Sequence, residues 1–502
     1  MTAGILNVLP RLCGGGGTRS VTEGFFLATA QEPLRRLRRH LPPKAGGGLF
    51  FLAALLATAT PAAAQTIAIT GGTVAIGDGS APIPGGTVVI RDGRVVAAGA
   101  RVAVPPGARV IDARGKWVTP GIIAGFSRLG LSDVDAVDSA SDAGGDGPFS
   151  AAIDIAPAIN PGAQPVAINR ADGVTRAIVA PEAGKSIFAG QGALIDTGAD
   201  MDAVTRARLF QFVELGEAGA ATAGGSRAAA HVLLRNALRE AAELGRFAAP
   251  VGGGGTGKAR PAVPENPSDP RLMTADARRS QDVLLTRFDA AALVPVLRGQ
   301  QILMIHAERT DDLLQVIALR REFPRLRLVI VGADEGWTIA DRLAASGIPV
   351  IASAMSDLPA QFESIAATQS NIGRMRAAGV RVSIGTIGDD ETRMTFRERF
   401  YAGNLVGLSR LPGASGLSWG EALAAITSRP AEALGLGAEF GSLAPGRHGD
   451  VVMWSGDPLD NASAAEMVMI DGVEQPLVTR QTRLRDRYRD LSRNTLPEAY
   501  RH

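Results

Sequence analysis

Val118-Thr-Pro-Gly-Ile-Ile-Ala-Gly-Phe-Ser-Arg-Leu-Gly130 sets the reading of this chain. A Pro-Gly step is followed by a short run of apolar and small residues, the pattern of a buried strand bounded by turn signals. The exit of that strand is unusual, because Phe126 and the permanently charged Arg128 stand where it leaves the core. Outward from it, residues 119–436 alternate short apolar runs with helical patterns, which predicts parallel β/α units. Strands are expected over 119–126, 174–180, 302–307, 327–332, 349–353 and 381–386. Helices are expected over 204–215, 227–247, 311–323, 336–346, 360–378 and 418–428. Units of this size over such a length suit an α/β fold of the (β/α)8 type, a TIM-like barrel whose site lies at the strand C-terminal ends. No Gly-rich dinucleotide fingerprint follows a first strand, which argues against a doubly wound open sheet.

Both flanks of that middle are β-rich. Thr66–Val74, Gly86–Ala98 and Ala108–Asp112 alternate β-branched and small residues, with Asp92-Gly93 as a hairpin turn. A similar block returns at Gly441–Trp454 and Met467–Gly472. The organisation expected is therefore a composite β-sandwich domain from 65–118 plus 437–475 around a barrel at 119–436, with 476–502 a charged C-terminal helix or tail. Residues 250–272, rich in Gly and Pro, read as a surface excursion or lid.

The 502 residues carry a net charge of +2, but seven Arg/Lys against two Glu fall within 1–64, so the remainder is slightly acidic. No basic stripe with interleaved aromatics is present, which argues against nucleic acid as a partner. Arg35, Arg36, Arg38, Arg39 and Lys44 precede the apolar run Leu49–Thr58 and the small-residue site Pro61-Ala-Ala-Ala-Gln65. Residues 1–64 thus read as an N-terminal extension plus signal peptide cleaved near Ala64, with a periodic pattern too short to span about 30 Å of hydrocarbon. The expected address is periplasmic or secreted, without a stable membrane anchor. The single cysteine, Cys13, lies in the segment that would be removed, so disulfides, thiolate ligands and a cysteine nucleophile are excluded from the mature chain.

With these segments in hand, the chain resembles the amidohydrolase superfamily, nearest in flavour to its imidazolonepropionase-like branch. The resemblance rests on the Val118–Gly130 stretch, the opening strands with Asp92-Gly-Arg94, and a closing block. That block comprises Ala424-Ala-Ile-Thr-Ser-Arg-Pro-Ala431, Gly441-Ser-Leu-Ala-Pro-Gly-Arg-His-Gly-Asp-Val-Val-Met-Trp454, Gly456-Asp-Pro458 and Ile470-Asp-Gly-Val473. It covers nearly all of 66–474. It implies a β-sandwich wrapped around a barrel that holds one or two divalent ions. It also implies hydrolysis of carbon–nitrogen bonds other than peptide bonds, or of related esters and ring amides.

The family's first strand reads V-x-P-G-[LIF]-I-D-x-H-x-H-x-G. Laid over it, this chain has Ala124 at the acidic position and Phe126 and Arg128 at the two histidines. His306 occupies the family's next histidine position, Gly332-Ala-Asp-Glu335 stands where another histidine belongs, and Ile387 replaces the last-strand aspartate. His306 is then the one retained ligand position, and a single zinc-like divalent ion there is the only cofactor to consider. A hydrolytic zinc needs about three protein ligands and an open place for water.

Candidate site residues are His306, Arg128, Glu308 and Asp334. His306 is either a metal ligand or general base, or a buried histidine bonded to Glu308, Asp334 or a carbonyl. Arg128 must pair or reach solvent, with Asp334, Glu335, Asp389 and Asp390 as expected partners in the volume the metals would fill. His231 and His448 read as surface residues. Lys185 is considered as a carbamylated metal bridge, as in some of the family; Asp389-Asp390-Glu391 read as helix-capping acids, and Trp337 either lines a pocket or packs. Two functions follow: an exported hydrolase with a reduced, eroded metal site, or a catalytically inactive binding or assembly module for an unknown small molecule. Self-association is left open.

Overall fold

A computed structural model describes residues 66–134, 137–247, 283–354, 356–387 and 393–489. The segment read as a signal peptide, the Gly/Pro-rich stretch 250–272 and Asp389-Asp390-Glu391 lie outside the described residues. The chain opens with β1 (Thr66–Val74), β2 (Ile83–Arg91), β3 (Arg94–Gly99), β4 (Arg109–Asp112) and β5 (Trp117–Pro120). It continues through β6 (Ile122–Ser127), β7 (Val174–Val179), β8 (Phe188–Asp196) and β9 (Val204–Glu214), then β10 (Ile302–Ala307), β11 (Arg327–Gly332), β12 (Val350–Ala352) and β13 (Val382–Ile384). It ends with β14 (Val451–Trp454), β15 (Ala465–Ile470), β16 (Val473–Gln475) and a helix, Arg480–Tyr488, started by a capping box at Thr479. Among the described residues no helix is long and apolar enough to cross a membrane.

Strands from both ends of the chain share one sheet, ordered β16-β15-β14-β5-β1-β2-β3, with β4 beside β1. Asp92 and Gly93 take φ of 51° and 74°, the double left-handed step of a type I′ hairpin, and Asp471 and Gly472 repeat it.

The second sheet runs β6 through β13 in chain order and curls into a nearly closed barrel. Its lumen is filled by every second residue of its strands, among them Ile123, Phe126, Ile178, Phe210, Phe212, Met304, Val329, Val331 and Ile351, as the two-residue side-chain period requires. The outward residues meet the helices. At the seam, β6 and β13 touch without a ladder: a Cβ on Gly125 would fall 1.9 Å from the Ile384 carbonyl oxygen. The seam is tied instead by Thr386 Oγ1 donating to the Phe126 carbonyl at 2.8 Å. The Gly125 amide also donates to the buried Glu398 carboxyl at 3.2 Å.

Three expectations are corrected. Residues 204–214 form strand β9 and not a helix, because Phe210 and Phe212 alternate into the lumen; Arg206 and Arg208 are exposed ahead of them, where Arg208 takes a φ of 50° and the register shifts. The barrel is not uniformly parallel: β8 runs antiparallel to both neighbours. Its connections, 180–187 and 197–203, are too short for the dozen or more residues that a parallel crossover needs. Within 360–378 only Asn371–Ala377 is α-helical. There, side chains such as Glu363, which accepts from the Glu217 amide at 2.6 Å, hold the loop.

The β7 residue Arg176, 1% exposed, fastens the barrel to the other sheet. Its guanidinium donates to Asp450 at 2.6 and 3.2 Å, to Asp471 at 2.9 Å and to Thr205 at 2.8 Å. His448, expected at the surface, pairs with Asp471 and stacks on Phe440, over which Arg176 also lies. His231, likewise expected outside, is mostly buried against Asp312 at 2.8 Å. Removing one member of a buried pair strands the other charge. Arg176→Ala should therefore cost about 3–5 kcal/mol in chemical denaturation, and Arg176→Met with Asp450→Leu distinctly less. A loss below about 1 kcal/mol for Arg176→Ala would refute the clasp.

Candidate functional site

The strand ends of the barrel converge on a cavity of about 610 Å³ lined by Phe126, Arg128, Glu214, His306, Glu308, Asp334 and Ile387, among others. The period of two explains why these residues meet. Phe210, Phe212 and Glu214 succeed one another inward on β9, and Met304 and His306 do so on β10, where His306 is the register partner of Glu214. Phe126 and Arg128 continue the inward face of β6. The structure thus brings together all four sequence-derived candidates, His306, Arg128, Glu308 and Asp334.

His306 has both ring nitrogens engaged. Nδ1 meets Glu214 at 2.6 Å and Nε2 meets Glu308 at 2.9 Å. Burial works against the charged ring, yet the Glu214 and Glu308 carboxylates outweigh it and hold the imidazole pKa well above its ordinary value. A carboxylate on each nitrogen thus favours the imidazolium, the form with two N–H donors and no lone pair.

Glu308 carries the arrangement onward. Its other oxygen accepts the Asp334 amide at 2.7 Å. Gly332 stands at the end of β11 because a Cβ there would lie 2.4 Å from that carboxylate, and because its φ is 96°. Ala333 follows with a φ of 59°, a left-handed step that few L-residues adopt and that turns Asp334 into the mouth. One oxygen of Asp334 is buried without a hydrogen-bond partner. Burial first, and then the negative charge of Glu308, push the Asp334 carboxyl up to about 6.

Of its expected partners among the described residues, Asp334 and Glu335, Arg128 pairs with neither. Its Nε lies 3.6 Å from Glu182, too far for a hydrogen bond, and its Nη1 is buried with no partner. Burial lowers its pKa, against the opposing pull of Glu182 and Glu214. Asp389 and Asp390 lie outside the described residues. Glu335 turns away, accepting the amides of Thr310 at 3.0 Å and Ala366 at 3.2 Å. Trp337 packs, its indole N–H bonded to the Ala366 carbonyl and its face covered by Arg374. Lys185 is exposed and paired with Asp146 at 3.1 Å, which corrects its reading as a metal bridge. Among the described residues, no three His, Cys, Asp or Glu side chains are gathered as a metal-holding group.

Sequence reasoning missed Glu214, Glu182 and Glu363. Glu214 was hidden by the helix expected at 204–215, although Phe210-Gln-Phe-Val-Glu214 carries the alternation that would have revealed it.

The amidohydrolase family profile matches residues 233–474. The solved structure of an amidohydrolase from Thermotoga maritima MSB8 superposes with a TM-score of 0.67, covering 81% of this chain and 99% of that one at 23% identity. Over residues 233–474, just under half of its length, the chain matches the amidohydrolase family, and the superposition shows the same fold. A prolidase structure complexed with N-methylphosphonate-L-proline covers 83% of this chain and 100% of its own chain, at 20% identity and a TM-score of 0.47. Amidohydrolase tasK of Hapsidospora irregularis is 42% identical over 60 residues, which is 12% of this chain and only 6% of that protein. The barrel mouth described above is the place where this fold carries its sites.

Proposed function

We propose that this protein is a hydrolase of amide-type carbon–nitrogen bonds whose mouth works through side chains instead of the family's metal centre. The observation that carries the reading is that two residues lining one cavity, Asp334 and Arg128, each hold a buried polar atom without a hydrogen-bond partner: an Asp334 carboxylate oxygen and the Arg128 Nη1. Buried groups of this kind normally have partners, so their lack marks atoms kept for a ligand. The donor set does not fit a divalent ion. Both His306 nitrogens are already taken by Glu214 and Glu308, Arg128 cannot coordinate, and Phe126 and Ile387 offer only hydrocarbon.

In this reading Asp334 is the general base. Its carboxylate takes a proton from water as the water oxygen bonds to the amide carbon, and the carbonyl electron pair moves onto oxygen, facing the Arg128 guanidinium. The proton then passes from Asp334 to the departing nitrogen as the carbon–nitrogen bond breaks, releasing amine and acid. A base with a pKa near 6 suits that exchange close to neutral pH. Glu214, His306 and Glu308 act as positioning residues. His306 holds one Glu308 oxygen at 2.9 Å, and Glu308 fixes the Asp334 backbone and raises the Asp334 pKa.

The alternative of a catalytically silent binding module is favoured by one feature, the complete engagement of both His306 nitrogens. A mouth that binds amides and turns none over would select it. We also propose export, with cleavage near Ala64, on the strength of the basic cluster and apolar run that precede it. N-terminal sequencing of the processed protein should begin near Gln65, and an unprocessed chain would refute export.

The catalytic proposal is tested on a panel of N-acyl amino acids, anilides and ring amides. Asp334→Asn should lower kcat by about 10²–10⁴-fold. The wild-type rate should rise with pH through about 6, since Asp334 works deprotonated, and should survive 1,10-phenanthroline. Activity lost to the chelator and restored by zinc would overturn the proposal.

A further inference from the structure

Glu182, the carboxylate nearest Arg128, belongs to a different cavity. This second chamber, of about 410 Å³, is lined by Phe149, Ile153, Leu233, Ala237 and Leu285, with Glu182 at one side. Arg128 lines the barrel mouth and Glu182 lines the second chamber, and their side chains approach to 3.6 Å. The ion pair is therefore the partition between the two spaces. It is a light one, too long for a hydrogen bond, and the Glu182 side chain is 57% exposed. Such a pair contributes little to stability, so a ligand can displace it at small cost.

The chamber's polar groups are already satisfied from within. Asp289 accepts the amides of Ser150 at 2.9 Å and Ala152 at 2.8 Å, and the Thr286 hydroxyl at 2.6 Å. Ser186 Oγ accepts the Phe188 amide at 3.1 Å, and Lys185 is held by Asp146. Beside the polar Glu182, Lys185 and Thr222, the chamber offers a ligand the apolar surface of Ile153, Leu233, Ala237 and Leu285. At the rim, Phe149 stands edge-on to the exposed Phe288, with ring centres 5.7 Å apart. Exposed aromatic surface beside a concave apolar chamber is typical of a ligand subsite.

We propose that the two cavities are halves of one cleft, and that the second chamber takes an apolar acyl or aryl extension of the amide whose reacting group lies at Asp334. This assignment rests on the hydrolase reading for the position of the amide, but the chamber itself is tested by binding alone. Calorimetric titration of the processed full chain compares N-acetylglycine with N-octanoylglycine. Added methylenes buried in the chamber should make the octanoyl compound bind at least about tenfold tighter. Leu233→Trp, which fills the chamber, should bring octanoyl binding down to the acetyl level. Phe149→Ala, a milder change at an exposed position, should reduce the preference by several-fold; circular dichroism confirms that both variants are folded. Equal affinity for the two compounds, no binding of N-octanoylglycine, or a preference untouched by both variants would overturn the chamber. Preference without hydrolysis would leave the chamber standing and remove Asp334 as a base. Hydrolysis without preference would do the reverse.

Discussion

A protonated imidazole at the end of a barrel strand is tolerable only if its charge is answered on both sides. Glu214 and Glu308 supply that answer to His306 from the same strand layer and the loop beyond it. Much of the mouth follows from this. Glu308 must reach back across β11, which requires a glycine at 332. Its second oxygen then holds the Asp334 amide, so the loop turns through a left-handed alanine and delivers a carboxyl into the cavity. Arg128, placed inward by the alternation of β6, has only a distant carboxylate and one unanswered nitrogen. Asp334 and Arg128 are the residues of the described cavity lining that keep a buried atom without a partner.

The fold was legible where burial dictated composition. β10 and β11 are nearly unbroken aliphatic runs because both faces of a barrel strand are covered, and the resemblance in the closing block matched the strands that return to the first sheet. β8 escaped notice because Gly190 and Gly192 interrupt its β-forming residues. The second glycine makes room for the Phe210 ring from the neighbouring strand, a constraint visible only in three dimensions. β9 was misread because Arg206, Arg208 and Gln211 mimic the polar spacing of an amphipathic helix. Tertiary pairing with β8 and β10 decided between the two periods.

The candidate site was half legible. Phe126, Arg128, His306 and Ile387 could be placed at the mouth by counting along strands, and the structure brings them to one cavity. The partners could not. Glu182 and Glu214 come from a loop and a strand that sequence periodicity did not assign, so neither was among the partners considered for Arg128. His231 and His448 were placed outside because one falls in a helical stretch and the other in a turn of the β-rich block. Their burial depends on Asp312 and Asp471, which arrive from distant segments.

The account turns on the protonation of one ring. Nitrogen-15 NMR of the processed chain near neutral pH, with His306→Gln used for assignment, reads both His306 nitrogens before and after one equivalent of zinc. The account predicts two protonated nitrogens and no change on adding the metal. A deprotonated nitrogen that shifts on stoichiometric zinc would contradict it.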